Sequence, residues 1–162
     1  MALDLKIKTN AKQISKRYSR LQSKFPRLFD KGLLQAGFHL LDIIRTKTAK
    51  GIDFRDVPFA SYSESYRKQL QREGKPIKVD LFYSGRMLGA LTPSGRTIKK
   101  TGKGKISVGF SNSQMRQRAL YNQVLNEPHR KFFGFNKRTE KIINKSFEKF
   151  VNKELRKIRI WV

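Results

Sequence analysis

The sequence predicts an α+β fold: a small antiparallel sheet packed against long N-terminal and C-terminal helices, forming a single domain over 1–162. Three observations carry this. Apolar residues recur at helical spacing toward both ends of the chain. A glycine-flanked turn in the middle joins two short segments of hairpin character. The 162 residues hold no internal repeat and no Pro-, Gly- or Ser-rich linker, and they amount to one domain's length of chain.

Leu3, Leu5 and Ile7 alternate with Asp4, Lys6 and Lys8, a period of two that predicts a short opening strand. Thr9-Asn10 can then cap a helix. Ile14, Tyr18, Leu21, Phe25 and Leu28 follow at spacings of 4, 3, 4 and 3, which puts them on one helical face. Pro26 has no amide proton to donate, so the pattern predicts a helix over 11–24, a kink, and a second helix over 26–50. The second helix is expected to bury Leu34, Phe38, Leu41 and Ile44, and Gly51 ends it. Residues 51–60 read as loop. Ser61 or Ser63 caps a short helix through Leu70, which Gly74 and Pro76 break. Ile77 to Phe82 read as a short extended segment, and Ser84 as the cap of a helical turn from Gly85 to Leu91.

Arg96–Thr101 and Lys105–Phe110 flank Gly102-Lys103-Gly104 and predict a hairpin with Ile98, Ile106 and Val108 as its apolar positions. Ser111 or Ser113 caps a helix over about 114–125, with Met115, Ala119, Leu120 and Val124 apolar. Asn136 caps the clearest helix, 137–158. Ile143, Phe147, Phe150 and Val151 line one side of it, and Lys141, Lys145, Lys149 and Lys153 recur every four residues on the other.

Lysine and arginine number 37 against 12 acidic residues, a formal net charge of +25. The excess is dispersed. Residues 1–80 carry 18 basic and 8 acidic side chains, net +10; residues 81–126 carry 8 and none, net +8; residues 127–162 carry 11 and 4, net +7. The charge therefore coats a folded body, and its expected partner is nucleic acid or an acidic protein. The candidate contact residues are Arg96, Lys99, Lys100, Lys103 and Lys105 on the hairpin, Arg116 and Arg118 beyond it, and Lys141, Lys145, Lys149 and Lys153 on the last helix. Like charges four apart repel by a few tenths of a kcal/mol, a cost that a counter-anion relieves.

Chemistry-bearing groups are few. The absence of cysteine excludes disulfides, thiolate metal sites and cysteine nucleophiles. His39 lies in an apolar helical run and reads as a core or boundary residue. His129 follows Pro128 in a loop, and the two histidines make no metal set. Asp53 and Asp56 read as turn formers paired with Arg55 or nearby lysines; the enzymatic alternative would be a nuclease metal site built on them. Thr101-Gly-Lys-Gly-Lys is not a phosphate loop, because residue 97 is Thr and Lys103 is followed by Gly104. Neither catalytic residue, metal nor cofactor is expected. No stretch approaches the roughly 18–20 apolar residues of a membrane span, and no apolar run follows the first charges, so the expectation is a soluble, non-secreted protein without a membrane partner.

The order of segments resembles the phage virion morphogenesis family, the tail-completion and neck proteins of Mu-like tailed phages and related prophages. The matching positions are Tyr66 with Lys68, Ser84-Gly85-Arg86 with Leu88, Val108-Gly109, Gln123, and Arg130 with Phe132, Phe133 and Gly134. The likeness covers about 54–155. Ser84 stands where the family usually has Thr, Asn122 where it has His, and Val124 where a Gly often follows the Gln. The resemblance implies a non-enzymatic subunit added where head meets tail, as a homo-oligomeric ring. Its partners would be other virion proteins of the neck, tail tube or connector, with packaged DNA alongside, and its place the virion or, during assembly, the host cytoplasm. It implies a buried or interface anchor at Arg130; a brace for the start of the last helix is the alternative. A general nucleic-acid-binding protein is the alternative function, motivated by the charge.

Overall fold

The computed structural model describes residues 11–82, 84–92, 94 and 96–157. The strand expected at Leu3–Ile7, the Thr9-Asn10 cap expected for the helix after it and the final residue of the expected 137–158 helix lie outside that set. The architecture is α+β, as the pattern predicts: the described residues form two long helices, three short ones and one two-stranded antiparallel sheet.

Helix α1 spans Ala11–Ala49 as one helix with Pro26 inside it, so the expected break is corrected. The Pro26 ring is exposed, and the turn that follows is held by Leu28, which is buried, and by Phe29, whose ring lies 6.1 Å from that of Phe25. At 1.5 Å per residue the 39 residues extend about 58 Å. Helix α5, Lys137–Lys157, packs along α1 but has only 21 residues, about 32 Å. It cannot cover the whole of its partner. The apolar spacing on α1 is therefore real, while its burial stops at Leu28. Leu41 and Ile44 are buried as expected, Leu34 is half-buried and Phe38 is exposed. Ile14, Tyr18 and Phe25 are 42%, 61% and 41% exposed.

Two glycines set the close packing against α1. A Cβ on Gly32 would lie 2.8 Å from the Phe147 ring of α5, and Phe147 meets Phe29 edge-on at 5.1 Å. A Cβ on Gly37 would lie 2.9 Å from Ile106 and 3.2 Å from Ile98, both in the hairpin. Strands β1, Ile98–Gly102, and β2, Lys105–Val108, pair with Ile98 opposite Val108 and Lys100 opposite Ile106. Gly104 takes φ 68 in the turn, the left-handed conformation that glycine adopts without a steric penalty.

Helix α2, Glu64–Arg72, starts at Ser63, whose hydroxyl accepts from the Tyr66 amide, and it buries Leu70. Residues 77–82 form no strand. Helix α3, Arg86–Gly89, begins at Gly85 with φ 67 and no side-chain cap. Ser84 lies one residue too early to serve, which corrects its expected role. Helix α4, Ser113–Leu120, is capped by Asn112, whose Oδ1 accepts from the Met115 amide, and not by Ser111 or Ser113. It runs on as a π-helical turn, Tyr121–Leu125, closed by Asn126 N donating to Tyr121 O at 2.8 Å. Widening that turn rotates the following residues off the α-helical face. Met115 and Ala119 are buried as expected, but Leu120 and Val124 are exposed. The core gathers Leu41, Ile44, Met87, Leu88, Leu91, Ile98, Met115, Ala119 and Phe132, where the C-terminal half of α1 meets the hairpin, α3, α4 and the segment before α5.

Candidate functional site

The carboxylates of the 51–60 loop are committed to local structure. Asp53 is buried; its Oδ1 accepts from the amides of Arg55 at 2.7 Å and Val57 at 2.9 Å, and its Oδ2 from Arg55 Nε at 3.1 Å. Asp56 pairs with Lys47 at 2.7 Å and accepts from Asn136 Nδ2 at 2.8 Å. The hydrogen bond from Lys47, joined by that from Asn136, holds the Asp56 carboxyl below its ordinary pKa. Among the described residues no group of three or more His, Asp or Glu can hold a metal ion. His39 is a half-buried boundary residue on α1.

The basic candidates fall on three elements. Arg96, Lys99, Lys103 and Lys105 are exposed on and beside the hairpin, but Lys100 is ion-paired with Asp30 of α1 and so is partly neutralised. Arg116 and Arg118 are exposed on α4. Lys141, Lys145, Lys149 and Lys153 are exposed along α5, and none of the four forms an ion pair among the described residues.

The residues that carry the family resemblance are scattered in sequence, and several of them meet at one cleft of about 710 Å³. Tyr62, Ser63 and Tyr66 form one wall, from the start of α2. Leu81, Ser84, Gly85 and Met87 form another, and Arg118, Tyr121, Asn122 and Leu125 a third. Asn126, Glu127 and Pro128 rim it, and Arg130 lines it. Gly85 is compact by necessity, since a Cβ there would lie 2.9 Å from the Phe82 ring.

Arg130 is the unusual group. It is 8% exposed. Its Nη2 donates to the carbonyls of Ala60 at 3.4 Å and Ser61 at 3.3 Å, and its guanidinium lies 5.0 Å from the centre of the Tyr62 ring. Its Nε is buried without a hydrogen-bond partner, and it forms no ion pair among the described residues. A buried cation is usually paired, because its lost hydration is otherwise uncompensated. Long carbonyl contacts and one aromatic face offset part of that loss. Burial raises the Tyr62 phenol above its ordinary pKa, with Tyr66 adding to the rise, so it stays neutral beside Arg130.

The backbone holds Arg130 in place: its amide donates to Asn122 O at 2.7 Å. The next residue, Gln123, pairs with Phe133 twice, its Nε2 donating to Phe133 O and its Oε1 accepting from Phe133 N, each at 2.9 Å. Phe132 is in the core, with Phe110 edge-on to it and tilted against Phe133. Gly134 passes the Phe54 ring at a distance a Cβ would close to 3.0 Å. Leu88 is core as well. Arg86 is exposed, and Gly109, whose amide donates to Thr97 O, lies at the end of the hairpin, so neither belongs to the cleft. Arg130 does not brace the last helix. Asn136 does, its Oδ1 accepting from the Thr139 amide at 2.9 Å, together with Lys47, whose Nζ donates to Thr139 Oγ1 at 3.2 Å. Tyr121 and Leu125 enter the cleft through the π-helical turn, which no apolar spacing signals. No family model, curated protein or solved structure matches the chain.

Proposed function

We propose that this chain is a non-enzymatic assembly subunit, and, following its motif order, a tail-completion or head–tail joining component of a phage or prophage virion that acts as a ring. The observation that carries the assembly reading is the apolar face of α1 that none of the described residues covers. Ile14, Tyr18 and Phe25 repeat along one side of a helix that outreaches its partner by about 27 Å. Apolar side chains left in water along one helix face are what subunit association covers. The exposed lysines of α5 suit an acidic partner surface or DNA enclosed by a ring. No helix among the described residues is long and apolar enough to cross a membrane.

The test is deletion of the gene from the phage or prophage that carries it, followed by negative-stain imaging of the lysate. Unjoined heads and tails are expected, and normally joined particles refute the reading.

One observation favours a second reading, general nucleic-acid binding. Across the acid-free stretch 81–126, seven of the eight basic side chains (Arg86, Arg96, Lys99, Lys103, Lys105, Arg116 and Arg118) are exposed and form no ion pair among the described residues. A binder making 6–10 phosphate contacts loses about 10³–10⁵ in affinity between 50 and 200 mM salt. No binding to duplex or single-stranded DNA or to RNA at 50 mM salt removes it.

A further inference from the structure

The geometry points to the Arg130 cleft as a receptor for an acidic side chain, aspartate or glutamate, carried on an extended peptide segment of a partner protein. The inference rests on the cleft alone and does not require the chain to be a virion subunit.

The main ground is charge complementarity. Arg130 is more than nine-tenths buried, its Nε has no hydrogen-bond partner, and its other contacts are two long carbonyl bonds and the face of Tyr62. A guanidinium presents its donors in a planar fork that matches a carboxylate. One carboxylate at the cleft side of the guanidinium supplies the missing charge, and it supplies the missing acceptor as well once the Arg130 side chain turns to expose Nε, which is closed to water in this structure. The size of the site agrees: about 710 Å³ is within the usual range for bound ligands and accommodates a few residues, not a domain.

The lining selects among anions. A duplex presents its phosphates on a convex cylinder, and a guanidinium this deeply buried is out of their reach. Glu127 at the rim offsets Arg118 in the wall, so the lining leaves about the single positive charge of Arg130, which suits one carboxylate better than a dianionic phosphate. Aromatic and aliphatic walls, with Tyr121 and Leu125 exposed at the opening, suit apolar residues flanking the acid.

The test is titration of the uniformly ¹⁵N-labelled full chain with N-acetyl-Leu-Glu-Leu-amide, followed at the Arg130 Nε–H resonance. The Gln counterpart, inorganic phosphate and hexathymidylate are titrated in parallel. The Glu peptide is expected to shift that resonance and to bind at least about tenfold more tightly than the Gln peptide. Attraction to exposed lysines is screened by salt, whereas a buried pair is screened much less. The Glu-over-Gln preference is therefore expected to persist from 50 to 200 mM salt. Arg130→Gln is expected to abolish the preference; if that variant does not fold, the native titration decides alone. An unmoved Nε–H resonance, equal responses to the two peptides, a preference lost at 200 mM salt, or a stronger response to phosphate or hexathymidylate each overturns the inference.

Discussion

Replacing Pro26 by alanine separates two accounts of the N-terminal helix. If a break lay at that point, with Pro26 at the first position of a new helix, proline would be favourable there and alanine would stabilise nothing. In the structure Pro26 is interior to a continuous 39-residue helix, where the missing amide leaves the Gln22 carbonyl without its helical donor. Proline costs about 3 kcal/mol relative to alanine in a helix interior. Its ring is exposed, so the substitution gives up no core contact against that gain. For a chain of 150–250 residues each kcal/mol shifts Tm by about 2–4 °C, so the full effect is about 6–12 °C. The assay is thermal and urea unfolding followed by circular dichroism at 222 nm. Pro26→Ala is expected to raise Tm, and the gain is expected to be smaller if the exposed turns before Leu28 unfold locally ahead of the body. A Tm that is unchanged or lower refutes the continuous helix and restores the break.

Three further perturbations follow from named contacts. Asn136→Ala removes the acceptor of the Thr139 amide and the donor to Asp56, and is expected to cost about 1–2 kcal/mol in urea unfolding. Gly32→Ala would gain about 1 kcal/mol of helix propensity on an open face. Here its Cβ meets the Phe147 ring at 2.8 Å, overpacking costs about 1–3 kcal/mol, and a lower Tm is expected; a higher Tm would mean α5 sits farther from α1. The Asp56 carboxyl has its pKa lowered in the fold from about 3.8, chiefly by the Lys47 hydrogen bond. Its stabilising contribution is thus present above about pH 4 and lost as pH falls through the folded-state value. The stability difference between native chain and Asp56→Asn is expected to shrink below pH 4, and a difference that holds constant from pH 7 to pH 3 rejects the pairing.

The parts legible in sequence were those governed by local rules. Asn136 as a cap, Gly51 as a stop, Ser63 before α2 and the Lys103-Gly104 turn each follow from one residue's backbone chemistry, and each is where the spacing put it. What sequence did not disclose depends on neighbours or on backbone registers without a compositional mark. Pro26 stays in its helix because the turn after it is anchored by Leu28 and Phe29. Ile14 has core spacing but lies beyond the reach of α5, whereas Phe38 faces an open groove beside Ser146 and Phe150 of α5, so its exposure reflects its angle around α1 and not the length of its partner. Leu120 is exposed one residue past buried Ala119, while α4 is still regular, and Val124 leaves the buried face where α4 widens into a π-helical turn; that same turn lines the cleft with Tyr121 and Leu125. Arg130 itself was conspicuous in sequence only through its motif. Its burial and its lack of a carboxylate are tertiary facts.

The net charge of +25 therefore describes two physically different populations of cations. The four lysines of α5 and the bases of the hairpin left unpaired among the described residues are exposed and hydrated, and salt screens them, so they supply long-range attraction that decays within about 10 Å at 0.1 M salt. They speed encounter with any polyanion and discriminate weakly. Arg130 is a single charge whose solvation has already been given up in folding, so an incoming carboxylate gains its hydrogen bonds without first displacing the hydration shell of its partner. Cations of the first kind set how fast a partner arrives, and a cation of the second kind sets which partner stays. Salt separates the two roles: an affinity that falls steeply with salt while a Glu-over-Gln preference survives is the signature of a chain that uses both.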